Sequence, residues 1–198
     1  MNQADKDEQI RKIILNAFRQ QIKKYGYNKV TMDDISKAAG KGRSSLYYYY
    51  KGKEEILDAL LLEEISELNQ FVIAKVIKRR SATDKLITYC NEKIMRLLDK
   101  INEYLIVSSE ILEDPEMYKK ISRLQDPHDE EALRSIMDEG IKSGEFRPLR
   151  PKEIHLMAVL MKSSIKGIAL EMCNQGGEID VTSVKRMIEV LFVRGIIA

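Results

Sequence analysis

TMDDISKAAGKGRSSLYYYYKGK, running from Thr31 to Lys53, decides how the rest of the chain is read. Thr31 followed three residues later by Asp34 is the pattern of a capping box, in which hydroxyl and carboxylate each take an orphan backbone N–H. Acids in the first turn also suit the positive end of a helix dipole. Ile35, Ala38 and Ala39 give this first short helix an apolar face, and the alanines are small enough for a neighbour to pack close. Gly40 supplies the left-handed residue that ends a helix, and Gly42 tolerates the N-cap position of the next. From Arg43 a second short helix runs through Ser44, Ser45 and Leu46 into four consecutive tyrosines. Leu46 and Tyr50, one turn apart, face inward onto Ile35. Ser44, Tyr47 and Tyr48 stand at i, i+3 and i+4 and share an outer face, with Lys41 and Arg43 at its leading end. Two helices at an angle, with a glycine turn between them and hydrogen-bonding groups outward, make a helix-turn-helix, whose second helix meets base edges in the major groove. A helix this short buries two tyrosines at most. Phenolic hydroxyls on phosphates, and rings against sugars or thymine methyls, would occupy Tyr47 and Tyr48.

The same residues resemble the TetR family of bacterial transcriptional regulators. Thr31, Ala39-Gly40, Arg43-Ser44-Ser45, Leu46-Tyr47-Tyr48 and Lys53-Glu54 match that family's pattern at fixed spacing. Three positions depart from it: Lys41 stands where an apolar residue is common, Gly42 where serine is, and Tyr50 in place of phenylalanine. The resemblance covers the first ~55 residues. It implies that Thr31, Tyr48 and Lys53 anchor phosphates and that Arg43, Ser44, Ser45 and Tyr47 read the groove; Lys41, where the sequence departs from the pattern, is expected to add a phosphate contact. It further implies a two-fold homodimer on a double-stranded DNA operator, with a small-molecule effector.

The chain has 198 residues, 44% hydrophobic and 32% charged, which suits a folded protein with a real core rather than a disordered one. Its net charge of +2 hides an asymmetry: residues 1–55 hold 12 Lys/Arg against 7 Asp/Glu, and the remainder 21 against 24. A basic head on a mildly acidic body fits a partner that is a polyanion. Two cysteines, Cys90 and Cys173, each sit among apolar residues and read as buried free thiols of a reducing compartment. The first dozen residues hold no apolar signal region, and no run approaches the ~20 apolar residues of a membrane span, so the cytoplasm is expected and no membrane partner.

Helical periodicity dominates. Ile10, Ile13, Ile14, Ala17, Phe18, Ile22 and Tyr25 form the stripe of a first helix that Gly26 stops. Packed across the helix-turn-helix, it completes a three-helix DNA-binding domain over residues 1–52. Lys53 opens a long helix to about Arg79, and residues 53–198 form a helical effector-binding and dimerisation domain, giving an all-α, two-part protein. Ser81 or Thr83, Asp114-Pro115-Glu116, Asp126-Pro127 followed by acids, Pro151 and Asp180 each read as a helix start.

Two helices of the body are apolar on more than one side, which implies burial on both sides. From these, Met161, Ile165, Ile168, Met172, Met187 and Leu191 are expected at a dimer interface. Phe71, Tyr89, Tyr104, Met117, Tyr118, Met137 and Met157 are the candidates for an adaptable effector pocket, since methionines and aromatics suit such cavities. Nothing points to catalysis, a cofactor or a metal: no nucleophile elbow, no phosphate-binding glycine loop and no paired histidines occur. The sequence therefore predicts a homodimeric DNA-binding repressor released from a palindromic operator by a small apolar or amphipathic ligand. A nucleoid-associated or architectural DNA-binding protein without an effector is the alternative, and a helical enzyme with an incidental head a more distant one.

Overall fold

Local signals set several of the helix boundaries: Thr31 caps the second helix, Gly26 ends the first, and Asp180 caps the last α-helix. In the computed structural model, residues 2–175 and 180–198 are described, without the side chains of residues 172–175 and 181. They form α1 (Gln3–Tyr25), α2 (Met32–Ala38), α3 (Arg43–Tyr49), α4 (Lys53–Val76), α5 (Ala82–Glu103), α6 (Leu105–Glu113), α7 (Pro115–Ser143), α8 (Pro151–Gln175) and α9 (Val181–Ile188), the last running into a π-helical turn, Glu189–Val193. Among the described residues the only extended pairing is one antiparallel bridge, Phe146 to Ile197. No described helix is long and apolar enough to cross a membrane. The helices divide into two units, Met1–Ile65 with Asn102–Tyr118, and Ser66–Ile101 with Lys119–Ala198.

The first unit holds α1, α2, α3, the start of α4, and α6. A capping box of Asn2 and Asp5 starts α1, and its stripe buries Ile14, Phe18 and Ile22, as α2 buries Ile35 and α3 buries Leu46. Each such side chain contributes roughly 1.5–3 kcal/mol by leaving water. Gly26, at φ 83°, ends α1 and donates its N–H to the Ile22 carbonyl at 2.9 Å. Arg19 of α1 forks onto α4, with Nε 2.9 Å from Glu64 and Nη2 2.9 Å from Glu63. The Tyr104 hydroxyl, an expected pocket group, donates to Glu64 instead, and burial first, then that bond, raises its pKa. Met117 and Tyr118, also expected at a pocket, belong to this unit. Met117 is buried and Tyr118 half-buried.

In the second unit, Val72, Leu86, Ile94, Leu133, Met137, Ala158, Met161 and Ile165 share one core. Glu145 caps α5 from far along the chain, accepting the N–H groups of Ala82 and Thr83 at 2.9 and 3.0 Å. Phe146, 1% exposed, folds back on α7 so closely that a Cβ at Gly140 would fall 2.1 Å from its ring. Asp126-Pro127 does not start a helix. Pro127 lies inside an unbroken α7, although its ring nitrogen has no hydrogen to give the Arg123 carbonyl. Asp126 is drawn away from capping by two ammonium groups of α8, those of Lys162 (3.1 Å) and Lys166.

The apolar face of α8 is the reverse of the one expected at a dimer interface. Met161 and Ile165 are 0% and 3% exposed in the chain's own core, with Ile168 packed against it. Leu156 and Leu160 stand exposed on α8, as do Met187 of α9 and Leu191 of the π turn. A helix apolar all round does not disclose by periodicity which side its own core takes. The Met172 side chain lies outside the described residues.

Candidate nucleic-acid interface

Thr31 caps α2 by accepting the Asp34 N–H at 3.3 Å, while its own N–H donates to the Asp34 carboxylate at 3.0 Å. Hydrogen bonds from the Thr31 hydroxyl and N–H hold the exposed Asp34 carboxyl below its ordinary pKa. At the other end, Gly40 at φ 61° lets its N–H reach the Lys37 carbonyl (3.1 Å) and the Lys41 N–H reach Ser36 (3.0 Å). This is a Schellman closure. Gly42 is the N-cap of α3 and contributes no side-chain bond there.

The four tyrosines divide as a helix of this length requires. Tyr49 and Tyr50 are buried, whereas Tyr47 is 42% and Tyr48 75% exposed. Tyr49 fastens α3 to α1: its hydroxyl donates to Asp7 at 3.0 Å, and its carbonyl accepts Arg11 Nη1 at 3.0 Å. Burial and the bond to Asp7 raise the Tyr49 pKa, so it stays a neutral donor. The Arg11 guanidinium also lies over the Tyr49 and Tyr50 rings, at 5.6 and 5.1 Å. Sequence periodicity alone did not single out Asp7 and Arg11, because their partners lie 42 and 38 residues on.

Arg43 and Ser44 are exposed and Ser45 half-buried. Arg43 leans over the Tyr47 ring at 5.8 Å, with Nη1 3.5 Å from Asp33. A contact this exposed and this long contributes little and leaves the fork free to turn to a base. Lys41 is half-buried and pairs with no carboxylate among the described residues. Lys53 is differently engaged. Its ammonium donates to the Tyr27 carbonyl at 2.8 Å and sits 4.2 Å over the Tyr27 ring; burial lowers its pKa against the pull of Glu110 and Glu54. The outer surface thus brings Arg43, Ser44, Tyr47 and Tyr48 together on a helix braced by α1, with Thr31 exposed at the start of α2.

Residues 14–60 match the family model for bacterial regulatory proteins of the tetR family. Over those residues the chain carries a TetR-family head. The chain is a DNA-binding transcriptional regulator. The chain is 24% identical to the HTH-type transcriptional regulator YhgD of Bacillus subtilis strain 168 over 196 residues, covering 95% of this chain and 97% of that one. It is 26% identical to the fatty acid metabolism regulator protein of the same organism over 135 residues, 68% of this chain and 69% of the relative. The crystal structure of the regulator FadR from Bacillus subtilis, in complex with stearoyl-CoA, shares the fold with a TM-score of 0.74 at 22% identity, covering 92% and 97% of the two chains.

Of the residues expected at an effector pocket, one lines a described cavity. Tyr89 of α5 joins Asn69, Val72 and Ile73 of α4 and His128, Glu131, Ala132 and Ser135 of α7 around about 310 Å³. Beside it lies a buried polar chain. Lys93 Nζ is 2.5 Å from Asp129 and 2.8 Å from Asn69, and the Tyr89 hydroxyl donates to Asp129 at 2.9 Å. Burial pushes the Lys93 pKa down while Asp129 opposes it. Burial also raises the Tyr89 pKa, with Asp129 adding to it. Met137 is wholly buried in the core, against which Phe71 and Met157 pack.

Proposed function

We propose that this regulator is a homodimeric repressor whose α3 reads an inverted repeat and whose body answers to a small amphipathic effector. The observation that carries the reading is the capped helix-turn-helix with Arg43, Tyr47 and Tyr48 outward and Tyr49 and Tyr50 inward. Leu156 and Leu160 on α8, with Met187 and Leu191 further on, are the apolar groups offered to a second copy. A two-fold dimer places two such heads on one DNA face, one or more helical turns apart.

The cavity of about 310 Å³ beside Tyr89 supports an effector, at the lower end of the roughly 300–1,000 Å³ that small-molecule sites occupy. The fatty acid metabolism regulator among the relatives, and the FadR structure with stearoyl-CoA, make acyl-CoA thioesters the first compounds to test. DNA fragments enriched by the purified protein from its own genome should give protected inverted repeats in footprinting. Short- and long-chain acyl-CoAs, titrated into the complex, should release the DNA and leave the dimer intact. Failure to enrich any DNA refutes the regulator. Enrichment with no release by any acyl-CoA refutes the thioester assignment alone.

A further inference from the structure

The loop between α1 and α2 is held by two elements that sequence places far from it. Glu110, on α6, accepts the N–H of Tyr27 at 2.6 Å and that of Asn28 at 3.1 Å, one carboxylate oxygen to each. Lys53, at the start of α4, takes the carbonyl of the same Tyr27 at 2.8 Å. We propose that Glu110 is a positioning residue of the helix-turn-helix, gripping the Tyr27 peptide opposite Lys53 and so fixing where α2 and α3 stand toward DNA.

Geometry supports this in three ways. The approach is close enough to constrain the loop sequence: a Cβ on Gly26 would lie 2.6 Å from Glu110 Oε1 and 2.8 Å from Ile106 of α6, at a φ of 83° that already favours glycine. Asn28 is three residues from Thr31, the N-cap of α2, so little slack separates the grip from the helix it positions. Beyond Thr31, α2 and α3 are closed to each other by the Gly40 turn and by Ile35 and Leu46, both fully buried. A shift of the loop therefore moves them together. The charge argument points the same way. An acid in the unit that binds DNA repels phosphate, a cost that a purely local role would not require, since a neutral acceptor could satisfy an N–H. A carboxylate accepting two N–H bonds binds about twice as strongly as neutral partners do. Its helix, α6, is continuous in sequence with α5 and α7, both of which lie mostly in the second unit.

The inference rests on the DNA-binding function, and the test separates the two. Full-length wild-type, Glu110→Gln, Glu110→Asp and Glu113→Gln proteins are titrated, by fluorescence anisotropy, with a DNA site selected by the wild type from a random library and with a scrambled duplex. Amide exchange at Tyr27 and Asn28 is followed by NMR on the free proteins. Loss of the grip leaves the loop to be ordered on binding, so Glu110→Gln should bind the selected site about tenfold more weakly and the scrambled duplex no more weakly. Tyr27 and Asn28 should exchange about tenfold faster while Phe18 and Ile22 keep their protection. Glu110→Asp keeps the charge but falls a methylene short, so it should behave as Glu110→Gln does. Glu113→Gln removes the same charge from the same helix and should match wild type. Equal loss on both duplexes, or an unaltered selected-to-scrambled ratio in both Glu110 variants, overturns the proposal. If the wild type selects no site, the regulatory function fails instead, and unchanged Tyr27 and Asn28 exchange in Glu110→Asp then overturns the grip by itself.

Discussion

Asp129→Ala should be among the most damaging single changes in the second unit, and its effect should depend on pH in a defined direction. Asp129 is 3% and Lys93 1% exposed, 2.5 Å apart. Removing the carboxylate leaves a buried ammonium with only the Asn69 oxygen, and breaking such a pair costs about 3–5 kcal/mol. At roughly 2–4 °C per kcal/mol for a chain of this size, the expected fall in Tm is about 6–20 °C. In the variant, burial acts on Lys93 without its main opposing partner, so its folded-state pKa drops further below the unfolded value. The unfolded chain then binds more protons than the folded one between those two values, and stability rises with pH there. The deficit should be largest near neutrality and shrink toward pH 10. Lys93→Met with Asp129→Leu removes both charges and should recover most of the loss. Calorimetry at fixed protein concentration, at pH 7 and near pH 10, measures all of this. A deficit under about 1 kcal/mol, or one that is flat with pH, would refute the view that an unpaired buried ammonium sets the cost.

Arg43→Ala should lose roughly 1–3 kcal/mol at the selected site and relax base preference at one position per half-site, leaving scrambled DNA almost unaffected; competition binding against single-base variants reads this. Leu160→Glu and Leu191→Glu place charges on the groups assigned to the second copy, and sedimentation should show monomers that keep their helix content; two folded dimers would place the interface elsewhere. Acid should unfold the protein partly through Asp126. Burial works to raise its pKa, but hydrogen bonds from Lys166 and Lys162 outweigh it and hold it below 3.8. Its stabilisation is present above that value and is lost as pH falls through the lower, folded-state pKa. Lys166→Gln should move the acid midpoint upward, measured by circular dichroism.

The helix-turn-helix was legible because its determinants are local. Thr31 and Asp34 are three residues apart, Gly40 and Gly42 mark the turn, and a seven-residue helix can bury only some of four tyrosines. What could not be read was non-local. Asp126-Pro127 carries a helix-start pattern, yet lysines 36 and 40 residues away claim the aspartate, and α7 continues through the proline. Helix α6 carries little periodic signal of its own, and the role of Glu110 lies in backbone N–H groups 83 and 82 residues earlier. In α8 the difficulty was symmetry. Met161 and Ile165 on one side and Leu156 and Leu160 on another are equally apolar, and only the packed core distinguishes them. The chemistry of Tyr104 suggests a pocket group, but its hydroxyl donates a hydrogen bond to Glu64, 40 residues earlier in the chain.

The stacking of Phe146 on Gly140 offers a genetic handle. Alanine for glycine inside a helix ordinarily gains about 1 kcal/mol. Here the added methyl would meet a ring that is 1% exposed and has no open side to retreat to, and overpacking of this kind costs roughly 1–3 kcal/mol. The lesion falls in the second unit, away in sequence from the helix-turn-helix. A Gly140→Ala allele should therefore be conditional: controlled genes stay silent in cool cultures and are expressed in warm ones, reversibly and without an added inducer.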